Sequence, residues 1–245
     1  MAPNYDSFWL PSRGNKPEEY QDAFAAAPDA SRFAVADGAS ESGFAGEWAG
    51  LLVEDFVAHP RPELDRWAES LPALQESWQT TIGSQSLPWY AKAKFQRGAF
   101  ATFLGVVVDS PDSGDMQWRA VAVGDACLFH CRGQDLLTAF PLEQADQFNN
   151  YPSLVGSRTL PEHVRDELCL YATGTAQADD RLWLMTDALA QWCLAQLETG
   201  HSPWDELESV TSSPESEKHF ATWIAERRET GDLHNDDVTL MAINL

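Results

Sequence analysis

The chain has 245 residues and a formal net charge of −22, from 38 acidic side chains against 16 Lys and Arg. A surface this acidic repels nucleic acid and anionic membrane faces, so it disfavours both as partners, and it attracts divalent cations and basic peptides. Hydrophobic residues make up 44% of the sequence, enough for a sizeable core, and we expect one domain over residues 1–245.

The cysteines and the N-terminal segment indicate the compartment. The four cysteines form no CxxC pair and have no histidine at zinc-ligand spacing, which is typical of reduced, buried thiols. No segment approaches the roughly 20 apolar residues of a membrane helix, and the N-terminus lacks a basic start followed by an apolar stretch. We expect a cytoplasmic protein, and a monomer.

The first part of the chain predicts a strand followed by helices. Residues 32–37 form a short apolar run that ends in Asp-Gly, and apolar residues then recur at helical spacing over 46–58. A second helix is predicted over 62–80, where Leu and Trp recur at three- and four-residue steps after a Pro-Glu start. This pattern indicates a strand, a tight loop and an outer helical layer.

Strands dominate the middle of the sequence. Runs rich in β-branched and aromatic residues predict antiparallel strands over 99–108, 116–123, 126–131 and 135–140. Further strands are predicted over 167–172, 181–186 and 238–243, with helices over 188–197 and within 204–228. Residues 141–164 show no sustained period and predict a surface loop or flap. Central strands with flanking helices predict an α+β layered domain.

Aspartates occur at the edges of several apolar runs: Asp22, Asp37, Asp187 and the pair Asp236-Asp237. A charge at the end of a buried strand costs free energy unless it is paired or binds a metal, and few basic residues lie nearby in sequence. Each aspartate alone is as readily a helix cap or a turn residue. Converging at one end of a sheet, they would form a hard-oxygen site for Mg²⁺ or Mn²⁺.

The order of these motifs resembles that of the metal-dependent PPM protein phosphatases, the protein phosphatase 2C-like family. The matching motifs are Gln21-Asp22-Ala23, Val35-Ala36-Asp37-Gly38 with Gly46-Glu47-Trp48-Ala49, Val123-Gly124-Asp125-Ala126, Leu184-Met185-Thr186-Asp187 and Asn235-Asp236-Asp237-Val238-Thr239. The resemblance spans nearly the whole chain. It implies a four-layer αββα sandwich of two antiparallel sheets flanked by helices, with the flap at 141–164.

The resemblance also implies a role for each motif residue. The implied metal ligands are Asp22, Asp37, the backbone carbonyl of Gly38, Asp187 and Asp236, with Asp125 at a third, looser ion. Asp37 would bridge two ions, and Asp37 and Asp236 are the expected catalytic residues. Gly38 has a physical reason of its own, because a residue without a side chain lets its carbonyl approach a cation. Two divalent ions about 4 Å apart can activate a shared water for in-line attack on a phosphate ester.

The implied activity is that of a metal-dependent serine/threonine protein phosphatase. Its cofactors would be two Mg²⁺ or Mn²⁺ ions, and its partner a phosphorylated protein substrate, in opposition to a serine/threonine kinase. The chain has no Cys-x5-Arg loop, no GxxxxGK and no Gly-x-Ser-x-Gly, so covalent and nucleotide-driven schemes find no support. His130, within a strand, is expected to have a structural role, and His234 to lie in a surface loop.

Several positions depart from the family pattern and keep alternatives open. The departures are Ala39-Ser40 after Asp37-Gly38, Ala188 instead of glycine, Asp237 instead of asparagine, and Pro17 instead of a phosphate-clamping arginine. Arg13 and Lys16 are the nearby substitutes for that arginine. A second hypothesis is therefore a weak or inactive phosphatase-like domain that binds a phosphorylated partner. A third is an acidic Ca²⁺-binding structural protein, although the chain has no DxDxDG loop.

Overall fold

A computed structural model describes residues 3–60, 63–109, 115–149 and 151–245. The strands are β1 (Asn4–Leu10), β2 (Ala23–Ala26), β3 (Arg32–Ala36), β4 (Phe100–Ala101), β5 (Phe103–Asp109), β6 (Met116–Val123), β7 (Cys127–Arg132), β8 (Asp135–Phe140), β9 (Val155–Gly156), β10 (Leu170–Ala176), β11 (Asp180–Met185) and β12 (Val238–Asn244). The helices are α1 (Ala45–Ala58), α2 (Leu71–Gly83), α3 (Trp89–Arg97), α4 (Pro161–His163), α5 (Asp187–Glu198), α6 (Trp204–Thr211) and α7 (Ser216–Thr230). Within these ranges, no helix has the length and apolar character needed to span a membrane.

The strands form two antiparallel sheets. The first sheet has the order β1-β12-β11-β7-β8, and the second has the order β10-β6-β5-β3-β2. β4 and β9 pair separately, next to an isolated bridge between Gly38 and Ala101. These pairings are antiparallel. The residue that follows one strand and the residue that precedes the neighbouring strand therefore lie at the same end of the sheet.

Three apolar clusters hold the layers together. One lies between the sheets and includes Phe33, Trp118 and Leu184. A second packs α1 and α2 on the outer face of the second sheet, and a third packs α5, α6 and α7 on the outer face of the first sheet. The architecture is therefore the four-layer αββα sandwich, and the α+β prediction is confirmed.

The burial of both sheet faces explains why the strands read as unbroken apolar runs. In β3, Phe33 and Val35 point into the space between the sheets, whereas Ala34 and Ala36 point toward the helices. In antiparallel sheets with one wet face the pattern alternates, but in strands such as β3, β5, β7 and β12 both faces are buried. The small Ala side chains lie on the helix side, where they leave room for the large side chains of α1.

The helical region after α1 differs from its prediction. The predicted helix over 62–80 is two elements, a 3-10 helix over Leu64–Ser70 and then α2. Its predicted start at Pro62 lies outside the described residues. α3 was not predicted; it is a short helix in which no residue is fully buried. The predicted strand at 167–172 begins later, at Leu170, after a helical turn over Val164–Leu168.

The predicted flap over 141–164 is anchored along its second half. Val155 is fully buried, and its carbonyl accepts a hydrogen bond from the Trp48 indole at 2.8 Å. Gln75 binds the carbonyl of Thr159 at 2.7 Å. Tyr151, in contrast, is 91% exposed. The surface-loop prediction therefore fits the exposed part near Tyr151, whereas residues 155–157 are part of the core.

Candidate metal centre

The second sheet brings two of the predicted ligands to one edge. Asp37 directly follows β3, and Asp22 directly precedes β2. These strands are antiparallel neighbours, with Ala23 paired to Ala36, so the two aspartates flank the last pair of the ladder. The sequence separates them by a hairpin, and the register returns them to the same place.

The first sheet does the same with Asp187 and Asp236. Asp187 lies just after β11 and Asp236 just before β12, and Met185 of β11 pairs with Leu240 of β12. Asp125 lies in the short turn between β6 and β7, where the chain crosses from one sheet to the other. The structure therefore brings all five predicted aspartates to one edge of the sandwich.

Asp22 joins the two sheets through hydroxyl groups. Its carboxylate accepts hydrogen bonds from Thr186 Oγ1 at 3.0 Å and from Thr239 Oγ1 at 2.7 Å. The backbone N–H of Thr239 in turn donates to Thr186 Oγ1 at 3.0 Å, and the Tyr20 hydroxyl also contacts Thr239 Oγ1. Asp22 is buried but receives only neutral donors here, so its negative charge is not neutralised.

Asp37 lies at the centre of the mutual repulsion. Burial raises the pKa of its carboxyl well above the usual range, and the charges of Asp22, Asp187, Asp236 and Asp125 raise it further. A carboxylate that feels four others at once is unstable as an anion unless a cation joins the group.

The other carboxylates show the same effect, with burial as the largest cause in each. The pKa is raised to about 7 for Asp22, to about 8 for Asp187 and to about 6 for Asp125. The pKa of Asp236 is also raised. After burial, the charge of Asp125 contributes most to the shift of Asp187, and that of Asp236 contributes to the shift of Asp125. The charge of Asp125 thus acts on Asp187, its partner in the predicted third site.

The backbone between Asp37 and Gly38 is held closely. Asp37 N–H donates to Thr102 Oγ1 at 3.1 Å, and Thr102 N–H donates to the Asp37 carbonyl at 2.8 Å. A Cβ on Gly38 would lie 2.5 Å from the carbonyl oxygen of Gln21 and 2.9 Å from the carbonyl carbon of Ala45. Glycine is required here because the segment that carries Asp22 packs against it, in addition to the access to a cation that the sequence suggested.

Asp237, which stands where the family has asparagine, acts as a latch. Its two carboxylate oxygens accept the backbone N–H groups of Ser12 and Gln21, each at 2.7 Å. Arg228 binds the backbone carbonyl of Asp236 and, at 2.9 Å, that of Pro11. These contacts fix the loop before β12 against the N-terminal segment and thereby position Asp236, whose Oδ1 accepts the Asp237 N–H at 2.8 Å.

A cavity of about 760 Å³ opens over this edge. Four of the carboxylates line it: Asp37, Asp125, Asp187 and Asp236. Its walls are formed by the loop over 39–43, by Lys94 and Arg97 of α3, and by residues near Tyr151. Neither Arg13 nor Lys16 is among the described lining residues, so the sequence-based substitutes for a phosphate clamp do not face this cavity.

The residues present fit a pair of hard divalent cations. The donor set consists of carboxylate oxygens, which Mg²⁺ and Mn²⁺ prefer. Asp125 Oδ1 is buried and has no hydrogen-bond partner among the described residues, so it is available to a cation. Within the described residues, however, no three His, Cys, Asp or Glu side chains already stand as a metal-binding cluster. The metal-ligand roles of Asp22, Asp37, Gly38, Asp125, Asp187 and Asp236 stay a prediction.

Comparison with known families decides the identity of the fold. The sequence model described as protein phosphatase 2C matches residues 12–229. This chain belongs to the protein phosphatase 2C family. The match includes four of the five aspartates of the centre and ends before Asp236. A search of curated proteins finds no match to the chain.

Solved structures of protein phosphatases share the fold at low sequence identity. The serine/threonine phosphatase PstP/Ppp of Mycobacterium tuberculosis superposes with a TM-score of 0.63 at 15% identity, over 100% of this chain and 99% of that one. A second PstP structure, described as a complex with two manganese ions, gives 0.62 at 15% identity, over 99% and 97%. PppA of Pseudomonas aeruginosa, described as a regulatory component of a T6SS, gives 0.59 at 17% identity, over 100% and 98%.

Within this protein phosphatase 2C fold, sequence reasoning missed several residues that shape the site. Thr186 and Thr239 bind Asp22, and Thr102 fixes Asp37. Each threonine lies within or just beyond a strand end near a predicted aspartate, which is the signal that could have indicated them. Lys94 and Arg97 were missed because α3 itself was not predicted.

Proposed function

We propose that this chain is a Mg²⁺- or Mn²⁺-dependent phosphatase that hydrolyses phosphoserine and phosphothreonine on proteins, in the cytoplasm and in opposition to a serine/threonine kinase. The observation that carries the proposal is the meeting of five aspartates at one sandwich edge, where burial and mutual repulsion raise their pKa values. Perturbed carboxylates of this kind cluster at functional sites. Family membership and the two manganese ions described for PstP support the same proposal.

The family resemblance supplies the residues that would hold the cations. Asp37 would bridge two ions, with Asp22 and the Gly38 carbonyl on one side and Asp187 and Asp236 on the other. Asp125 would serve a third, looser ion together with Asp187. When bound, such ions supply positive charge for the phosphoryl oxygens and lower the pKa of water toward neutrality.

The chain's own groups then orient and confine the reaction. The Thr186 and Thr239 hydroxyls hold Asp22 in one orientation, and the Asp237 latch with Arg228 fixes the loop that carries Asp236. The walls of the cavity limit solvent on the sides, which strengthens electrostatic contacts with a phosphate ester. No histidine lines the cavity in the described part of the chain, so these residues supply no imidazole acid for the leaving alkoxide.

The test is hydrolysis of a phosphothreonine peptide and of p-nitrophenyl phosphate. We expect turnover with Mn²⁺ or Mg²⁺, none with EDTA, and recovery when the metal is restored. The matched control is Ca²⁺, which has the same charge but coordinates more loosely. Turnover that is unchanged by EDTA would contradict the proposal.

The second candidate is a catalytically weak or inactive domain that binds a phosphorylated partner. The observation that favours it is the loop after Asp37-Gly38, which lines the cavity with Ala39, Ser40 and Ser42 and with one carboxyl group, that of Glu41, but with no imidazole. A metal-loaded protein that binds the phosphothreonine peptide in fluorescence anisotropy, but releases no phosphate, would support this candidate over the first.

A further inference from the structure

Helix α3 is a basic element in an acidic protein. Its nine residues, WYAKAKFQR, contain three of the 16 Lys and Arg side chains of the chain and no acidic residue. Lys94 and Arg97 are three positions apart, so they lie on one face of the helix, and both line the cavity that contains Asp37. Lys92 is exposed on the same helix but does not line that cavity.

The helix is held firmly against the loop that follows Asp37-Gly38. A Cβ on Gly43 would lie 2.6 Å from Lys94 Cβ, so glycine permits the close approach of this loop to the helix. On the other side, the Phe95 ring stacks on Trp78 at 5.1 Å between centroids. The backbone that carries the Lys94 and Arg97 side chains is therefore held in place beside the acidic edge.

Neither cation is neutralised by the protein. In the described residues, no ion pair or hydrogen bond involves the side chain of Lys94 or Arg97. Other basic residues do have acidic partners, as in Arg66 with Glu69 and Arg132 with Asp180. Among the described residues, Lys94 and Arg97 are therefore two cations without an acidic partner that line the same cavity.

The charge at the floor of the cavity explains why such cations are needed. Five carboxylates meet at this edge, and Glu41 adds a further carboxylate to the lining of the cavity. Their formal charges outweigh the four positive charges of two divalent ions, so a dianionic phosphate would still approach a net negative floor. Arg13 cannot supply the missing charge easily, because its backbone is tied to Asn235 in both directions and its side chain does not line the cavity.

We propose that Lys94 and Arg97 of α3 form the anion subsite that binds the phosphoryl group of the substrate above the acidic edge. This inference rests on the proposed function and adds the group that recognises the phosphate. Arg97 can present two parallel N–H donors to phosphoryl oxygens, and Lys94 provides a point charge. Acidic residues that flank a phosphoresidue have the same anionic chemistry, and the experiment separates the two sources.

The test compares Lys94→Gln, Arg97→Gln and the double variant with Lys92→Gln, a control on the same helix. The readouts are the binding of inorganic phosphate to the Mn²⁺-loaded protein by calorimetry, and KM and kcat for p-nitrophenyl phosphate. We expect the double variant to weaken phosphate binding and raise KM about tenfold, with kcat changed less than about twofold. Lys92→Gln should change neither constant by more than about twofold, and Arg97→Lys should retain part of the affinity.

The calorimetry separates this inference from the proposed function. If the wild-type protein binds phosphate but hydrolyses nothing, a loss of phosphate affinity in the double variant still supports the subsite. An unchanged phosphate affinity in the double variant would overturn it, and so would an equal loss in Lys92→Gln, which would indicate a general field effect. An effect confined to phosphopeptides with acidic flanks would also overturn it, because the pair would then contact the flanking carboxylates.

Discussion

Asp180 and Asp22 of the metal centre are both buried but have opposite surroundings. The Asp180 carboxylate accepts hydrogen bonds from Arg132 at 2.7 and 2.9 Å, from His130 Nε2 at 3.0 Å and from the Gln177 N–H at 2.9 Å. The Trp118 indole donates to His130 Nδ1, which leaves Nε2 as the donor to Asp180. Burial alone would raise the pKa of Asp180, but these donors lower it to about 2.

The centre at the other end of the sheets lacks such compensation. Asp22 receives two threonine hydroxyls, and Asp125 Oδ1 receives no donor from the described residues. The pKa of Asp22 rises to about 7, and that of Asp187 to about 8, through burial and neighbouring charges. The difference teaches that burial alone does not mark a functional carboxylate. A buried carboxylate that has no cationic partner indicates a functional site, because the free-energy cost of burying its charge is offset only when a ligand binds it.

The first prediction removes the central carboxylate. Asp37→Asn, and likewise Asp236→Asn, should lower metal-dependent hydrolysis more than about 100-fold, because changes even in the groups behind metal ligands cost up to that amount. The unfolding free energy of the EDTA-treated variant should stay equal or rise, since repulsion is relieved. The measurement combines turnover and urea denaturation, with the exposed Asp6→Asn as control. Full activity in both variants would refute the site.

The second prediction breaks the compensated carboxylate. Asp180→Ala should lower the unfolding free energy by about 3 kcal/mol, because it leaves Arg132 and His130 without their acceptor while Arg132 stays half-exposed. Asp166→Ala, which removes the partner of Arg165 at the surface, should have little effect. Urea denaturation measures both. If Asp180→Ala lost Mn²⁺ affinity but no stability, Asp180 would belong to the metal centre, and its assignment as a structural carboxylate would be wrong.

The third prediction uses the opposite pKa shifts of the two regions. The pKa of Asp180 lies below its unfolded value of 3.8, so its stabilisation is present above about pH 4 and is lost as the pH falls toward 2. Asp22 and Asp187 have raised pKa values, so between about pH 4 and 8 the folded, EDTA-treated protein binds more protons than the unfolded chain.

The unfolding free energy of the EDTA-treated protein should therefore fall by at least about 2 kcal/mol as the pH rises from 5 to 8, since Asp22 alone contributes that much. Saturating Mn²⁺ should abolish or invert this slope, because cations favour the ionised carboxylates. Denaturant titrations over this pH range, with and without Mn²⁺, provide the measurement. A slope that Mn²⁺ does not change would show that the titrating groups lie elsewhere.

The fourth prediction concerns the neutral donors to Asp22. Thr186→Val keeps the shape of the side chain but removes the hydrogen bond to Asp22 and the acceptor for Thr239 N–H, and should cost about 1 kcal/mol of stability. Mn²⁺ affinity at neutral pH should fall up to about tenfold, because Asp22 loses orientation. Thr222→Val, an exposed helical position, is the control. Unchanged affinity would mean that Asp22 needs no support from Thr186.

The sequence predicted the layers and the acidic residues for identifiable reasons. Strands such as β3 are apolar on both faces, and Asp37 and Asp187 interrupt that pattern at a strand end. The compensating contacts could not be predicted in this way. Asp180 contacts His130 and Arg132 only through the pairing of β11 with β7, about 50 residues away in sequence. Several strand registers are compatible with the same sequence.

Lys94 and Arg97 of α3 were not predicted, for a different reason. α3 is a nine-residue helix without a fully buried side chain, and its position beside the cavity depends on the contact of Gly43 with Lys94, two residues that are far apart in sequence. Asp237 was recognised as a departure from the family pattern, but its role as a latch for Ser12 and Gln21 depends on tertiary contacts. In both cases the missing information lies in long-range geometry.

Counting bound ions tests the central claim most directly. Calorimetric titration of the wild-type protein with Mn²⁺ at neutral pH should give two ions per chain, and Asp37→Asn should bind at most one, with weaker affinity. A wild-type protein that binds no Mn²⁺, or an Asp37→Asn variant that binds the same number of ions with the same affinity, would contradict the claim that these buried aspartates form a metal centre.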